Sequence, residues 1–339
     1  MTPPARPKDH SVPAVIQRTA VVGSGYMGGG IAQVLALSGR DVALTDLEAD
    51  RARTARVRLI EQAARYVEAG LFPAGAVESL ERHLTASPSL SEAVAGADYV
   101  TEAVFEDRAV KLPVLRQISD AADQRTIVGT NTSAIPINEL AQAVSHPERF
   151  LGVHWMNPAP FVPGVELIPS PQTDPAVLAR VKAMLVEAGK APAQVSDSPG
   201  FVANRLQFAL FKEAVKVVAE GLATPTQVDT VVSNTFGFRL ALFGPFAIGD
   251  MAGLDVYAAS YESLAAEYGE RLAAPALLTE MVAAGDLGLK SGHGFLDIDS
   301  SEVAELLAYR ERAYQALGQL RQTLGPAPGL SDDGDDEDD

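Results

Sequence analysis

A short glycine run, Gly23-Ser24-Gly25-Tyr26-Met27-Gly28, leaves this chain few folds to choose from. It follows Thr19-Ala20-Val21-Val22, an apolar and β-branched stretch that reads as a buried strand. It opens residues 27–37, where apolar side chains recur at helical spacing. In that context G-x-G-x-x-G is a strand–turn–helix unit for a dinucleotide. Gly23 permits the tight turn, Gly25 lets the backbone approach a pyrophosphate, and Gly28 lets helix and strand pack closely. The helix start then offers unpaired N–H groups and a partial positive charge to the phosphates.

Asp46 closes the next predicted strand about twenty residues on, where a carboxylate accepts the ribose hydroxyls and repels a 2′-phosphate. Leu47 follows it rather than arginine, so NAD is expected over NADP. Arg51 and Arg53 are the nearby side chains that could turn back toward a phosphate.

Short apolar runs at 19–23, 41–46, 98–102, 126–130, 150–154, 165–169 and 193–196 alternate with helical stretches such as 27–37 and 49–69. This is the pattern of a doubly wound, mostly parallel sheet. The run at 162–169 breaks the alternation, which predicts a mixed far edge. From Phe201 to about 324 the periodicity is helical, broken by Gly/Pro clusters at 221–225, 236–245 and 285–294. The boundary falls at Asp197-Ser198-Pro199-Gly200, where Asp197 or Ser198 is expected to cap the following helix and Pro199 to fill its first turn. The expected organisation is an α/β Rossmann-type domain over 18–197 and an all-helical domain over 198–324, the latter taking the substrate and dimerisation roles that the family resemblance given below implies. A flexible tail at 1–17 and a disordered acidic tail at 325–339 flank them.

The chain has 339 residues and no cysteine, which removes disulfides, thiolate nucleophiles and Cys-ligated metals; no metal site is expected. The net charge is −17, but seven carboxylates lie in the last nine residues. With no basic stripe, nucleic acid is a poor partner. No apolar run approaches the roughly 20 residues that span a bilayer, and the polar, Pro-rich start lacks a signal-peptide core. A cytoplasmic enzyme is expected.

Among the five histidines, His10, His83, His146 and His293 read as surface residues without a convincing acidic partner at a strand end. His154 differs. It closes the strand at 150–154, and Glu166 lies inside the next apolar run. If Pro158, Pro160 and Pro163 turn the chain back, Glu166 faces His154, fixes its tautomer and stabilises the imidazolium formed on taking a hydroxyl proton. From spacing alone, a packed histidine beside a solvated carboxylate stays open.

Several segments together resemble the 3-hydroxyacyl-CoA dehydrogenase family. They are the glycine turn, Asn131-Thr132-Ser133, His154-Trp155-Met156-Asn157-Pro158 with Glu166, and Asp197-Ser198-Pro199-Gly200-Phe201-Val202-Ala203-Asn204-Arg205. Gly244-Pro245-Phe246, Gly253-Leu254-Asp255 and Lys290-Ser291-Gly292-His293-Gly294-Phe295 follow in the family's order. The resemblance implies hydride transfer between NAD and C3 of an L-3-hydroxyacyl substrate such as 3-hydroxybutyryl-CoA, with a place in fatty acid metabolism. It implies His154 as general acid/base, Glu166 as its orienting carboxylate, Ser133 on the substrate oxygen, and Asn204 on the acyl side. It puts Gly23, Gly25, Tyr26, Met27, Gly28, Asp46, Glu106, Lys111, Asn131 and Asn157 at the cofactor, and implies a homodimer.

Three segments bear on the choice of substrate. Arg65-Tyr66-Val67-Glu68-Ala69-Gly70-Leu71-Phe72 lacks the lysines that acyl-CoA members tend to carry; Arg51, Arg53, Arg56, Arg58 and Arg65 are the cations available for a CoA phosphate. The run from Asn157 to Glu166 and Gly237-Phe238-Arg239 resemble the branch containing L-gulonate 3-dehydrogenase and lambda-crystallin. Arg239, in a Gly/Phe-rich turn, suits a free carboxylate. A free 3-hydroxy acid is therefore the alternative substrate, and an NAD-binding structural protein without turnover the alternative of another class.

Overall fold

The computed structural model describes residues 15–329. Most of the expected tails, 1–14 and 330–339, lies outside the described residues. The chain divides into two compact units, one running to Leu210 and the other beginning at Phe211.

The first unit carries an eight-stranded sheet: β1 (Arg18–Val22), β2 (Asp41–Thr45), β3 (Leu84–Ala86), β4 (Tyr99–Glu102), β5 (Ile127–Thr130), β6 (Phe150–Trp155), β7 (Gly164–Pro169) and β8 (Ala191–Gln194). Their order is β3-β2-β1-β4-β5-β6-β7-β8. All neighbouring pairs are parallel except β6 and β7. The mixed far edge expected from the 162–169 run is therefore present, displaced inward by one strand. The short β3 was not among the predicted strands; three residues are too few to show a period.

Helices α1 (Tyr26–Leu37), α2 (Ala49–Glu68), α3 (Ala76–His83), α4 (Leu90–Val94), α5 (Arg108–Ala121), α6 (Ile137–Leu140) and α7 (Pro175–Glu187) accompany the sheet. Two clusters of buried side chains form the core, one including Ile31, Leu35, Leu59, Leu44 and Val153, the other Val100, Leu115, Ile118, Val128 and Phe150. Strands β4 and β5 are buried at every position, as expected for the interior of a parallel sheet covered on both faces. The sheet order reverses direction between β1 and β4, so the loops leaving their C-terminal ends part there and open a crevice.

The next helices are α8 (Ala203–Ala219), α9 (Pro225–Asn234), α10 (Phe236–Leu240), α11 (Pro245–Ala252), α12 (Leu254–Tyr268), α13 (Ala276–Ala284) and α14 (Val303–Leu324). The division between units falls inside α8. In the second unit the buried Asp250 accepts the N–H groups of Phe295 and Leu296 at 3.0 and 2.8 Å, which fixes the glycine-rich 288–294 turn against α11. Arg239 lies within α10 rather than in the expected turn. Among the described residues no helix is long and apolar enough to cross a membrane.

Candidate active site

The glycine turn has the geometry its spacing implies. Gly23 has φ +104°, a conformation that L side chains resist, and a Cβ there would meet the Ala103 carbonyl oxygen at 2.6 Å. A Cβ on Gly28 would fall 1.9 Å from the Gly23 carbonyl oxygen, so helix α1 can approach β1 only with glycine at this position. Gly25 caps α1 without a side-chain hydrogen bond, and a Cβ on it would meet nothing within 4 Å. That open space in front of free helix N–H groups is what a pyrophosphate requires. Tyr26 is exposed and Met27 half-buried at the same helix start.

Asp46 follows β2 beside this turn. One oxygen accepts the Ser24 N–H at 2.7 Å and the Ser24 hydroxyl at 2.6 Å, and the other accepts the Leu47 N–H at 2.8 Å. Burial works to raise its pKa, but these hydrogen bonds and the charge of Arg51 outweigh burial and hold the carboxyl below its ordinary value. A cavity of about 410 Å³ adjoins it, lined by Ser24, Gly25, Asp46, Arg51, Thr54 and Arg58 among others. Arg53 is engaged by Asp50 and Arg58 by the Ser24 carbonyl, while Arg51, 3.9 Å from Glu48, lines the cavity together with Asp46. The residues fit NAD.

His154 and Glu166 lie directly opposite each other in the antiparallel β6–β7 pair. His154 Nδ1 is 2.8 Å from Glu166 Oε2, and both side chains are buried. Their separation in sequence is spanned by the proline-rich 156–163 turn, whose Asn157–Pro158 bond is cis. Lys190 holds that turn. Its ammonium donates to the carbonyls of Ala159, Pro160 and Val162 at 2.5, 3.4 and 2.9 Å. Burial lowers the Lys190 pKa.

The second oxygen of Glu166 accepts the backbone N–H groups of Val202 and Ala203 at 3.0 and 2.9 Å. Glu166 thus satisfies the start of α8, the role expected of Asp197 or Ser198. Asp197 faces elsewhere, accepting the N–H groups of Ile137 and Asn138 at 3.0 and 2.8 Å at the start of α6. Phe201, buried with φ +47°, packs its ring 5.6 Å from the His154 ring.

Asn204 lies in the first turn of α8, and its Nδ2 donates to the Ser133 carbonyl oxygen at 3.2 Å. Asn131 follows β5, and its Oδ1 accepts the Trp155 N–H at 2.9 Å, tying the strand end beside His154 to the Ser133 loop. Asn157 is exposed just beyond β6. Thus Ser133, Asn204, Asn131, His154 and Glu166 belong to one connected array, while Arg239 belongs to the second unit.

Lys111 is buried. Its side chain is 1% exposed, and its ammonium is taken up by Glu102, Glu106 and the Val104 carbonyl. Two other histidines have acidic neighbours: His83 meets Asp41 at 2.9 Å and His146 meets Glu148 at 3.1 Å. Asp41 opens β2 opposite Arg18, at the N-terminal ends of the strands and away from the glycine turn, so the His83 pair is remote from the crevice. Glu102, Thr130, Ser24 and Lys190 were not among the residues read from sequence. The one available signal was Glu102, an ionisable side chain inside an apolar strand.

Fold and site together define an NAD-binding dehydrogenase with a histidine–carboxylate pair beside its nucleotide crevice. Residues 18–198 match the family model described as 3-hydroxyacyl-CoA dehydrogenase, NAD binding domain, and residues 200–298 match its C-terminal domain. The chain belongs to the 3-hydroxyacyl-CoA dehydrogenase family, oxidoreductases that act on a CH–OH group with NAD. It is 34% identical to 5-formyl-3-hydroxy-2-methylpyridine 4-carboxylate 5-dehydrogenase of Mesorhizobium japonicum, over 90% of this chain and 98% of that one. It is 36% identical to a probable 3-hydroxybutyryl-CoA dehydrogenase of Bacillus subtilis, over 84% and 98%. The crystal structure of a 3-hydroxyacyl-CoA dehydrogenase from Archaeoglobus fulgidus superposes with a TM-score of 0.74 at 32% identity, covering 91% and 99% of the two chains.

Proposed function

We propose that this chain interconverts a short L-3-hydroxyacyl-CoA, such as 3-hydroxybutyryl-CoA, and its 3-keto partner, with His154 as general acid/base. The observation that carries this reading is the 2.8 Å contact between buried His154 Nδ1 and Glu166 Oε2. The carboxylate keeps the proton on Nδ1, so Nε2 presents a lone pair to the substrate hydroxyl. In oxidation His154 takes that proton, and Glu166 stabilises the imidazolium; in reduction the same nitrogen returns it. NAD, when bound, accepts or returns the hydride at C3. Gly23, Gly25, Tyr26, Met27 and Gly28 hold the pyrophosphate, Asp46 the ribose, and Asn131 and Asn157 flank the nicotinamide. The Ser133 hydroxyl and Asn204 amide serve the substrate oxygen and acyl side.

Residues 18–197 act as the NAD-binding domain and 198–324 as the substrate and dimerisation domain of a cytoplasmic homodimer, with a place in fatty acid metabolism. Large exposed apolar side chains on the second unit's helices, including Phe211, Val231 and Leu320, support association with a second copy.

A free hydroxy acid is the second reading. The Mesorhizobium relative, named for a pyridine carboxylate, favours it. So do the local engagements on α2: Arg53 with Asp50, Arg56 with the Leu84 and Glu81 carbonyls, and Arg58 with Ser24. In this reading Arg239 receives the carboxylate. An NADH-linked assay with acetoacetyl-CoA beside free 3-keto and 3-hydroxy acids decides. The thioester reading expects turnover of acetoacetyl-CoA. Turnover of free acids alone, abolished in Arg239→Ala, overturns it.

A further inference from the structure

Pro199 and Gly200 fill the centre of a turn ahead of α8. The Phe201 N–H closes it on the Ser198 carbonyl at 2.9 Å, and Gly200 has φ +75°, the left-handed value that such a turn asks of its third residue. Nothing local asks the next residue to be left-handed as well. Phe201 nevertheless has φ +47°, the one positive φ outside glycine among the described residues. A bulky side chain is strained there, and the conformation persists only where the surrounding structure holds it.

Two sets of contacts hold it. The Phe201 ring is fully buried in the core cluster of Ile135, Ile137, Phe150 and Ile168, with its centroid 5.6 Å from the His154 imidazole and the planes at 58°. The two residues that follow, Val202 and Ala203, give their N–H groups to Glu166 Oε1, while Glu166 Oε2 meets His154 Nδ1. Residue 201 therefore bears on both members of the pair, on the imidazole through its ring and on the carboxylate through the backbone it leads into. Rotation to a negative φ would swing the ring and those N–H groups together, relative to the Ser198–Phe201 turn. The hydrogen bond at Nδ1 fixes one point of the imidazole, but the torsion that carries the ring is broad, so the ring can still rock about that point. An aromatic ring packed against it takes up that freedom.

We infer that Phe201 is a positioning residue of the reaction, whose ring holds the His154 imidazole in line with Glu166 and so aims Nε2 at the substrate hydroxyl. This rests on the reading of His154 as general acid/base. A proton-transferring nitrogen must stay within hydrogen-bond reach of the proton it moves, and small misplacements there are felt in turnover rather than in binding. The strained backbone at Phe201 is retained because it delivers the ring and the helix start to the same pair.

The test compares Phe201→Leu with Val94→Ala in the full-length protein. Leucine leaves an apolar side chain in the pocket without a flat ring. Val94, fully buried on α4 in the same core cluster, supplies a loss of packing away from the pair. Steady-state kcat and KM are measured with NADH and acetoacetyl-CoA, or a free 3-keto acid where only that is turned over, and NADH affinity by nucleotide fluorescence. Solvent exchange of the His154 Nδ1–H is read by NMR in protein carrying nitrogen-15 histidine, the signal being assigned by its absence in His154→Ala. Phe201→Leu should lower kcat by about tenfold, with the substrate KM and NADH Kd within about twofold of the parent. Its Nδ1–H should exchange about fivefold faster or more. Val94→Ala should lower the melting temperature and leave kcat and the Nδ1–H within about twofold. Where Phe201→Leu fails to fold, Phe201→Met fills the pocket with an adaptable chain and makes the same comparison. Unchanged kcat in the ringless variant overturns the inference. So does a fall in kcat with Nδ1–H exchange unchanged, or one that Val94→Ala matches. An NADH Kd raised about tenfold would place residue 201 in cofactor binding and overturn it as well. His154→Ala judges the underlying site: full turnover there sinks the general acid/base reading, while Nδ1–H exchange still decides whether the ring holds the imidazole.

Discussion

Ala203 donates its backbone N–H to Glu166 across 2.9 Å, so the carboxylate that orients His154 also begins helix α8. Chemistry and scaffold share one side chain. Glu166→Gln should therefore damage both. An amide has one acceptor oxygen for the imidazole N–H and two backbone N–H groups, and its NH₂ must face a donor. Turnover should fall by about 10²–10³, and loss of the helix-start contact should cost about 1 kcal/mol. NADH oxidation and thermal melts check the two effects; an unchanged melting temperature refutes the dual role.

His154→Ala should lower turnover by about 10²–10⁴ while NADH still binds, because the imidazole moves a proton and does not hold the nucleotide. Equal loss of cofactor affinity would reject the assignment.

Asp46→Ala removes the acceptor of the Ser24 and Leu47 donors and the ribose partner. NADH affinity should fall by about tenfold, and the preference over NADPH should shrink. In the parent, burial pushes the Asp46 carboxyl upward, but its hydrogen bonds to Ser24 and Leu47 and the charge of Arg51 outweigh burial and hold its pKa below the ordinary value. A folded pKa depressed in this way adds stability above the unfolded value that is lost as pH falls through the folded one. NAD binding followed by calorimetry should stay level from about pH 8 to about pH 5, well above the carboxylate range. A loss of affinity starting near neutrality that is absent in Asp46→Ala would contradict this.

Gly28→Ala places a Cβ against the Gly23 carbonyl, which backbone cannot yield cheaply. Destabilisation of about 1–3 kcal/mol is expected, with weaker NADH binding as the turn opens. A parent-like melt and Kd would show that α1 can withdraw from β1 without cost.

Asp250→Asn in the second unit leaves the N–H groups of Phe295 and Leu296 one acceptor short in a buried place. A cost of about 1–3 kcal/mol is expected by thermal unfolding. No change would mean that the 288–294 turn is held by other contacts.

The order of elements was legible because it depends on neighbours in sequence. Thr19-Ala20-Val21-Val22 followed by Gly23 and Gly28 specifies strand, turn and helix through φ preference and side-chain size, and β1 and α1 lie where that pattern puts them. His154 was legible as a strand-end imidazole with a carboxylate one strand away. That the two meet depends on the register of β6 and β7, which the 156–163 turn and the buried Lys190 beneath it set. Nothing periodic in the sequence encodes it.

Partner choice among polar groups was decided by tertiary structure alone. Asp197 had the right spacing to cap α8, yet the chain brings Glu166 to that helix and sends Asp197 to α6. The resemblance puts Lys111 at the cofactor, and the packing of α5 against β4 sets its ammonium between Glu102 and Glu106. The residues themselves determined which backbone conformations were affordable and which side chains could do chemistry. Which donor meets which acceptor follows from long-range approach, because a buried polar group takes whatever partner the folded chain delivers.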